Sequence, residues 1–246
     1  MLYKLINTHV NIASEEEYIN EIFNTLKNKQ KKVFFYLNSY SFYLFNTNKN
    51  FNSAFKIADF IIADGYSIVK AIKILTKQEI KKVVFTYVYE KLLGKLLGEK
   101  KIKIFFLGGS NKSLKKFIDN TRLTFPNMEI VGFNDGYFNL KKQTEKIIKN
   151  INNAKTEVLI VGMGMPRSEV WLEENLNKID VNCIISVGGF FEFLAGNKQQ
   201  APGFLYNSGF EWVYRLVQEP KRLFGRYFKA NTYFLYRIIK FLIIKR

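Results

Sequence analysis

The chain has 246 residues, 48% of them apolar, and carries 38 Lys and Arg against 21 Asp and Glu, a formal net charge of +17. This length and composition exclude a disordered chain and allow one large domain with a substantial core. One cysteine, Cys183, and one histidine, His9, exclude a disulfide framework and a multi-histidine metal site, and they disfavour a Ser-His-Asp triad. The basic balance indicates an anionic partner, either nucleic acid or a membrane surface.

Apolar runs and helical patterns alternate along the first two hundred residues. Strands are predicted at 33–38, 59–64, 103–109, 129–134, 157–164 and 183–189, and helices at 66–76, 86–98, 111–123, 141–153 and 166–177. Most of the strands are almost continuously apolar, as parallel strands covered on both faces are. The pattern predicts an α/β fold with a Rossmann-like, doubly wound and mostly parallel sheet. No signal peptide or transmembrane helix is predicted, and a cytoplasmic setting fits.

Ligands of such a sheet bind at the carboxyl ends of its strands, so the residues that follow the strands form the candidate site. Three glycine turns lie there: Gly108 with Gly109, Gly162 with Gly164, and Gly188 with Gly189. Each turn is compatible with a plain tight turn, but three on one sheet edge predict a nucleotide or sugar-nucleotide ligand. The dinucleotide fingerprint is broken at Arg167 and no P-loop is present, which disfavours NAD-type and ATP-type chemistry.

Asp64 stands at the tip of a predicted strand, directly before Gly65 and a helix. One interpretation is a helix N-cap, in which the carboxylate accepts from the first helical amides. The other is a general base in a partly desolvated crevice. The sequence contains no D-x-D motif, so a leaving diphosphate would be stabilised by amides, helix ends and basic side chains rather than by a carboxylate-bound metal.

The strand–helix alternation stops near Pro202, which divides the chain into a predicted core at 1–200 and a helical appendage at 201–246. The appendage contains nine Lys and Arg but only two acids, Glu211 and Glu219. Helices are predicted at 204–218 and 221–244, separated by Pro220. At about 100° per residue, the second helix is amphipathic, with a basic stripe beside a broad apolar and aromatic face.

The apolar face of this helix has several possible partners. It can pack on the core, lie at an anionic membrane interface, or be buried in a homo-oligomer. Nucleic acid is the weaker alternative, because the basic residues lie beside an apolar face of the helix and do not form a polar face of their own. The prediction is therefore an appendage that binds an anionic membrane surface and no nucleic acid.

Several sequence blocks together resemble the WecG/TagA/CpsF glycosyltransferase family over roughly residues 30–228. Residues 186–228 carry VGG, an acid, LAG, AP, G-x-EW-x-x-RL-x-x-EP-x-R and R-Y in the family's order. ADGYSIV, FNDGYF and VGMGMPRSEVW resemble further family segments. The resemblance implies an inverting transfer, without metal or cofactor, from a UDP-sugar to a polyprenyl-diphosphate-linked GlcNAc-type acceptor at the cytoplasmic membrane face. The donor sugar would be N-acetylmannosamine or a related hexose, used in cell-surface polysaccharide synthesis.

The resemblance also implies roles for individual residues. Asp64 would be the general base and Asn38 would position the acceptor. Substrate-binding roles would fall to Lys82, which stands where Arg is usual, to Tyr137 and Glu192 at the uridine nucleotide, and to Arg215, Arg222 and Arg226 at the diphosphate. Departures at Tyr36, Phe85, Tyr87 and Ser168 bear on which sugars are used. The alternative is a membrane- or nucleic-acid-binding module with an inactive core.

Overall fold

A computed structural model describes residues 2–77, 80–99, 102–202, 205 and 209–244. Its strands are β1 Leu2–Leu5, β2 Thr8–Asn11, β3 Lys32–Leu37, β4 Phe60–Ala63, β5 Lys103–Gly108, β6 Glu129–Asn134, β7 Val158–Gly162 and β8 Cys183–Ser186. The α-helices are α1 Glu15–Lys27, α2 Ser39–Thr47, α3 Lys49–Phe55, α4 Tyr66–Thr76, α5 Phe85–Glu99, α6 Asn111–Thr124, α7 Leu140–Asn153, α8 Arg167–Asn175, α9 Phe190–Leu194, α10 Glu211–Gln218 and α11 Pro220–Ile244.

The described strands form one sheet in the order β1-β2-β4-β3-β8-β7-β5-β6. Strands β1 and β2 pair antiparallel, and the remaining pairs are parallel. The predicted α/β fold with a mostly parallel, Rossmann-like sheet is therefore confirmed. Because the parallel strands point the same way, the chain segments that follow them meet at one edge of the sheet.

Helices cover both faces of the sheet, so each central strand contributes to two apolar cores. In β5, Phe105 and Leu107 belong to one core, while Ile104 and Phe106 belong to the other. Successive side chains of a strand point to opposite faces, which is why a doubly covered strand reads as a continuous apolar run. This is the physical basis on which the six parallel strands were recognisable from sequence.

The strand–helix pattern did not predict the short helix α9 or, apart from β3, the elements of the first 55 residues. The β1–β2 hairpin lies at the sheet edge, and α1, α2 and α3 lie within the first 55 residues. Helix α1 begins with a capping box, in which Ser14 Oγ accepts from the Glu17 amide at 3.1 Å and the Glu17 carboxylate accepts from the Ser14 amide. His9 is exposed on β2, as expected for a surface histidine.

Helices α10 and α11 correspond to the C-terminal appendage. Residues 204 and 206–208 of the predicted helix at 204–218 lie outside the described residues. Helix α11 packs along α2, with the rings of Phe42 and Phe234 5.0 Å apart, and its residues Phe234 and Ile238 join one of the two cores. Part of the apolar face of α11 therefore packs on the core, while Phe224, Phe228, Leu235 and Ile239 remain exposed.

No helix in the described part of the chain is both long enough and apolar enough to cross a bilayer. The division at residue 200 into a core and an appendage stays a prediction.

Candidate active site

A cleft of about 760 Å³ opens at the carboxyl ends of the parallel strands, with walls supplied by α4, α10 and α11. Most of the predicted site residues line it, namely Asn38, Asp64, Lys82, Gly109, Tyr137, Gly162, Gly164, Gly188, Gly189, Glu192, Arg215, Arg222 and Arg226. Gly108 does not, because it is packed against Gly162 behind the cleft surface. The fold thus brings together residues that lie up to 188 positions apart, from Asn38 to Arg226.

Asp64 follows β4, and its backbone amide continues the pairing with β3 through a 2.9 Å hydrogen bond to the Leu37 carbonyl. The N-cap of α4 is Gly65, and no side chain caps this helix. The N-cap interpretation of Asp64 is therefore wrong, since its carboxyl group faces the cleft instead. A carboxyl group at this position is available to a ligand.

The surroundings of the Asp64 carboxyl raise its pKa to about 6, and burial is the largest cause. The positive charge of Arg215 opposes this shift, the negative charge of Glu211 adds to it, and Lys82 opposes it. The carboxyl group is therefore mostly ionised at neutral pH, yet basic enough to accept a proton. This combination suits a general base.

Asn38 occupies both the start of α2 and the wall of the cleft. Its Oδ1 accepts from the backbone amides of Tyr40 and Ser41, each at 3.0 Å, and so caps α2. Burial is the main cause that raises the Asp64 pKa, and the neighbouring Asn38 side chain acts weakly against it. Asn38 is therefore a neighbour of the carboxyl group, and its contact with an acceptor stays a prediction.

Glu211 connects the appendage to the core next to Asp64. Its Oε2 lies 2.5 Å from Lys82 Nζ and its Oε1 lies 2.6 Å from Arg215. The guanidinium of Arg215 also lies over the Phe193 ring, 5.0 Å from its centroid. Glu211 therefore holds two cations beside Asp64, and sequence reasoning assigned it no role. The only signal was that Glu211 is one of two acids in a segment rich in basic residues.

Replacing Glu211 by Gln is expected to move the acidic limb of the pH–rate profile to lower pH. The Glu211 charge raises the Asp64 pKa, whereas Arg215 and Lys82 lower it. Removing that charge, and releasing both cations from it, therefore favours the ionised Asp64. The rate of sugar transfer measured between pH 4.5 and 8 checks this. Glu219→Gln is the control, since Glu219 does not act on Asp64, and an unmoved limb in Glu211→Gln would count against the arrangement.

Arg222 and Arg226 line the part of the cleft formed by α11. Arg222 Nε donates to Glu219 Oε1 at 2.8 Å, and Lys198 also pairs with this carboxylate at 2.8 Å. The Arg226 guanidinium stacks on the Tyr40 ring, 3.7 Å from its centroid. Arg226 Nε is buried without a hydrogen-bond partner among the described residues. The cleft therefore contains a partly unsatisfied cation that suits an anionic ligand.

The sequence predicted that the glycine turns bind a nucleotide or sugar-nucleotide, but several of these glycines instead allow close packing within the protein. The Gly109 amide donates to the Gly162 carbonyl at 3.1 Å, so it is not free to bind a phosphate. A Cβ atom at Gly188 would lie 2.8 Å from the Tyr36 hydroxyl. Gly164 differs, because it has a φ of +84° and open space beside it in the cleft. Of these three, it is the glycine with room for a ligand.

Replacing Gly108 by Ala is expected to lower the free energy of unfolding by about 2 to 5 kcal/mol, through overpacking and backbone strain. A Cβ atom there would lie 2.4 Å from the Gly162 carbonyl atoms, at a φ of +144° that alanine rarely adopts. Chemical denaturation of both proteins measures this. The matched control is Gly94→Ala in α5, where a Cβ atom meets nothing within 4 Å. Equal stability of the two variants would refute the prediction.

The two residues predicted to bind the nucleotide lie at different depths. Tyr137 is 79% exposed at the cleft mouth, where its amide donates to Asp135 Oδ1 at 2.9 Å. The Glu192 carboxylate accepts from Ser113 Oγ at 2.6 Å and from Asn197 Nδ2 at 3.2 Å. Glu192 is therefore oriented by its neighbours, while Tyr137 has space to cover a ligand.

The departures from the family pattern lie at different distances from the cleft. Tyr36 and Phe85 both line it, and Tyr36 is partly buried there. Ser168 does not line it, and instead accepts from the Met163 amide at 3.0 Å beneath the 162–164 turn. Tyr87 is also absent from the lining. Tyr36 and Phe85 therefore bear most directly on the shape of the sugar site.

Glu169 is a buried carboxyl group that sequence reasoning missed. It lies below the cleft floor, where its Oε1 accepts from Ser186 Oγ at 2.8 Å. Burial raises its pKa to about 7, and its charge in turn raises the pKa of Tyr36. Glu169 and Ser186 therefore support the floor on which Tyr36 lies.

Comparison with known proteins bears on this arrangement. The model of the glycosyl transferase WecG/TagA/CpsF family matches residues 3–246. The chain belongs to this family. The predicted family and enzyme class are therefore confirmed, and the cleft described above is the candidate active site of a WecG/TagA/CpsF glycosyltransferase.

Similar proteins from Bacillus spizizenii and Staphylococcus aureus carry the name N-acetylglucosaminyldiphosphoundecaprenol N-acetyl-beta-D-mannosaminyltransferase. The one from Bacillus spizizenii is 27% identical over 175 residues, which cover 71% of this chain and 66% of the relative, just under two thirds. The one from Staphylococcus aureus strain MW2 is 30% identical over 183 residues, which cover 74% of this chain and 70% of the relative. The names describe transfer of N-acetylmannosamine to a lipid-linked N-acetylglucosamine by those proteins.

Proposed function

We propose that this WecG/TagA/CpsF glycosyltransferase transfers N-acetylmannosamine or a related hexose from a UDP-sugar to a polyprenyl-diphosphate-linked GlcNAc-type acceptor. The observation that carries the proposal is the position of Asp64 in a single cleft with Arg215, Arg222 and Arg226. A base and a group of cations are the two requirements for a displacement that expels a nucleoside diphosphate. The names of the relatives support the acceptor and the preferred sugar.

The reaction is a direct displacement at the anomeric carbon. The ionised Asp64 carboxylate removes the proton from the acceptor hydroxyl as that oxygen forms a bond to the anomeric carbon. The bond from that carbon to the UDP oxygen breaks at the same time, and the electron pair leaves with UDP. The configuration inverts, because the hydroxyl attacks the face opposite the leaving group. Asn38, which lines the same cleft, positions the acceptor for this step.

The negative charge that develops on the leaving diphosphate requires positive charge at the donor site. Arg226 has a buried Nε atom without a partner among the described residues, and Arg215 and Arg222 line the same cleft. Guanidinium groups donate in pairs to phosphate oxygens, which makes them well suited to this position. The α10 and α11 helices thus supply the cations, while β4 supplies the base.

Mass spectrometry of the product tests the proposed transfer. Incubation with UDP-N-acetylmannosamine and a short-chain GlcNAc-diphosphate-lipid is expected to add one N-acetylhexosamine residue to the acceptor, with inverted configuration by proton NMR. The described residues contain no group of three His, Cys, Asp or Glu side chains placed to hold a metal ion. The same reaction in EDTA tests the proposed metal independence. An unmodified acceptor with every hexose donor tried would refute the proposed transfer.

The proposed location is the cytoplasmic membrane face, with the protein bound peripherally through α11. The rings of Phe224 and Phe228 stack at 6.4 Å, and they are 65% and 66% exposed. They lie on the apolar stripe of α11 that does not pack against α2, and the helix contains no Asp or Glu. Exposed rings with basic residues nearby suit the headgroup region of an anionic bilayer, where each cation contributes about 1 kcal/mol.

Replacing both Phe224 and Phe228 by Glu is expected to abolish flotation with anionic liposomes. The change removes apolar contacts and adds two charges that anionic lipid repels. Leu123→Glu is the matched control, since Leu123 is 82% exposed on α6, away from this stripe. Salt-dependent binding to duplex DNA, measured in parallel, tests the nucleic-acid alternative. Undiminished flotation of the double variant would refute the proposed surface.

A further inference from the structure

The cleft extends beyond its charged part into a groove between α4 and α11. Three exposed side chains form its rim: Tyr66 and Ile74 on α4, and Leu235 on α11. Its floor is made of buried Ala71, Phe234 and Ile238. These residues define the α4–α11 groove. It is continuous with the position of Asp64, because one cavity is lined by both.

The groove differs from the ordinary contact between packed helices. On its other side, α11 is closed against α2 by aromatic pairs, with ring centroids 5.0 Å apart for Phe42–Phe234 and 5.5 Å apart for Tyr43–Tyr233. Toward α4, by contrast, apolar side chains of both helices remain exposed along the rim. An open, apolar groove that leads from a charged site to the surface indicates a ligand with a polar head and an apolar tail.

Polarity changes in order along α11. The cavity lining from α11 is mixed at the N-terminal end, where Leu223 and Tyr227 accompany Arg222 and Arg226. Asn231 follows, and the last lining residues, Phe234, Leu235 and Ile238, are all apolar. At about 1.5 Å per residue, the distance from Arg226 to Ile238 is about 18 Å. Asn231 accepts from Ser39 Oγ at 2.6 Å and marks the boundary between the charged and apolar parts. Neither α4 nor α11 contains an acid, so no carboxylate on them repels an anionic lipid.

We infer that the α4–α11 groove binds the first isoprene units of the acceptor's polyprenyl chain. The inference rests on the proposed function, in which the acceptor is a polyprenyl diphosphate. It goes further by assigning the lipid chain to a groove of the protein, separate from the exposed stripe of α11 at Phe224 and Phe228. The groove leads the chain from the reacting sugar toward the bilayer.

A comparison of two water-soluble acceptors tests the groove apart from membrane binding. We expect kcat/KM for a GlcNAc-diphosphate-farnesyl acceptor to exceed that for its methyl analogue by about tenfold or more, because burial of the farnesyl chain is favourable. In the double variant Ile74→Glu and Leu235→Glu, the ratio of the two kcat/KM values is expected to fall to near one. The control is Ile239→Glu, which is one turn along α11, similarly exposed and outside the cavity lining, and which keeps the ratio.

A ratio near one in the wild-type protein, or an unchanged ratio in the double variant, would overturn the assignment of the lipid chain to the α4–α11 groove. A second measurement is independent of turnover. Farnesyl diphosphate with a photoreactive diazirine at its far end is expected to label α4 and the C-terminal half of α11. Label elsewhere would overturn the assignment. If neither acceptor reacts but the label lies in the groove, the proposed transfer fails and the lipid site stands.

Discussion

Replacing Asp64 by Asn lowers kcat by about 100- to 10,000-fold, the range that a positioned general base contributes. The amide cannot take the acceptor's proton, while it retains the size of the carboxyl group. In the wild-type protein, the rate rises as the pH increases through about 6, because the base must be unprotonated. The variant is expected to lose this limb. Steady-state kinetics between pH 4.5 and 8 measure both effects.

The stability of Asp64→Asn shows whether the loss is chemical. The pKa of Asp64 in the folded protein is raised to about 6 from an ordinary value of 3.8. Its ionised form is therefore less favourable in the folded state, and this cost is present above pH 6 and relieved as the pH falls. Asn removes the cost, so the variant should unfold at no lower temperature than wild type at pH 7. Asp119→Asn, at an exposed position on α6, is the control for activity. A kcat of Asp64→Asn equal to that of the wild-type protein would refute the role of Asp64 as general base.

Replacing Arg215 by Ala is expected to lower kcat by about 100- to 1,000-fold. This is the loss seen in other enzymes when one hydrogen-bond donor that stabilises negative charge in the transition state is removed. Arg215 contacts Glu211 at 2.6 Å and lines the cleft beside Asp64. Its loss removes positive charge from the proposed site of the donor diphosphate. In the wild-type protein the Arg215 charge lowers the Asp64 pKa, which burial raises. Loss of Arg215 therefore raises this pKa further, and the acidic limb of the pH–rate profile is expected to move to higher pH. Kinetics with the donor varied at saturating acceptor measure both changes.

Lys221→Ala is the matched control for Arg215→Ala. Lys221 is an exposed cation at the start of α11, and it is outside the cleft lining. Both variants lose one positive charge, so a general electrostatic effect would lower their rates equally. A comparable loss in the two variants would contradict a local role for Arg215. A loss in Arg215→Ala alone, with the acidic limb displaced, would support it.

The parallel part of the sheet could be predicted because its signal is local. Strands such as Val158–Gly162 are apolar at every position, and each is followed by a glycine or polar residue and a helix. The β1–β2 hairpin could not be predicted in the same way. Leu2–Leu5 and Thr8–Asn11 have four residues each, and only Leu5, Thr8 and Val10 are buried, against partners distant in the sequence. Helix α2 has aromatic residues all along it, which obscures a helical period.

The site was predictable where one strand end carried an unusual residue, and not where two distant segments had to meet. Asp64 stood out at the end of β4, although the sequence left its role as an N-cap open. The contact between Lys82 and Glu211 joins residues 129 positions apart, so no local pattern reveals it. The Gly109 amide was expected to be free for phosphate, but the neighbouring strand takes it through the Gly162 carbonyl. This bond forms because β5 and β7 are neighbours in the sheet, and a local sequence pattern does not reveal which strands are neighbours.

The most direct test of the central claim is UDP release from a panel of UDP-hexoses, measured with and without a short-chain GlcNAc-diphosphate-lipid acceptor. The account predicts release that requires the acceptor, persists in EDTA, and is strongest with one N-acetylhexosamine or a related donor. Release that is equally fast without acceptor would contradict the proposed transfer, because the Asp64 carboxylate would then have no acceptor hydroxyl to activate. No release from any donor, by protein that remains folded, would contradict the proposal that this cleft catalyses sugar transfer.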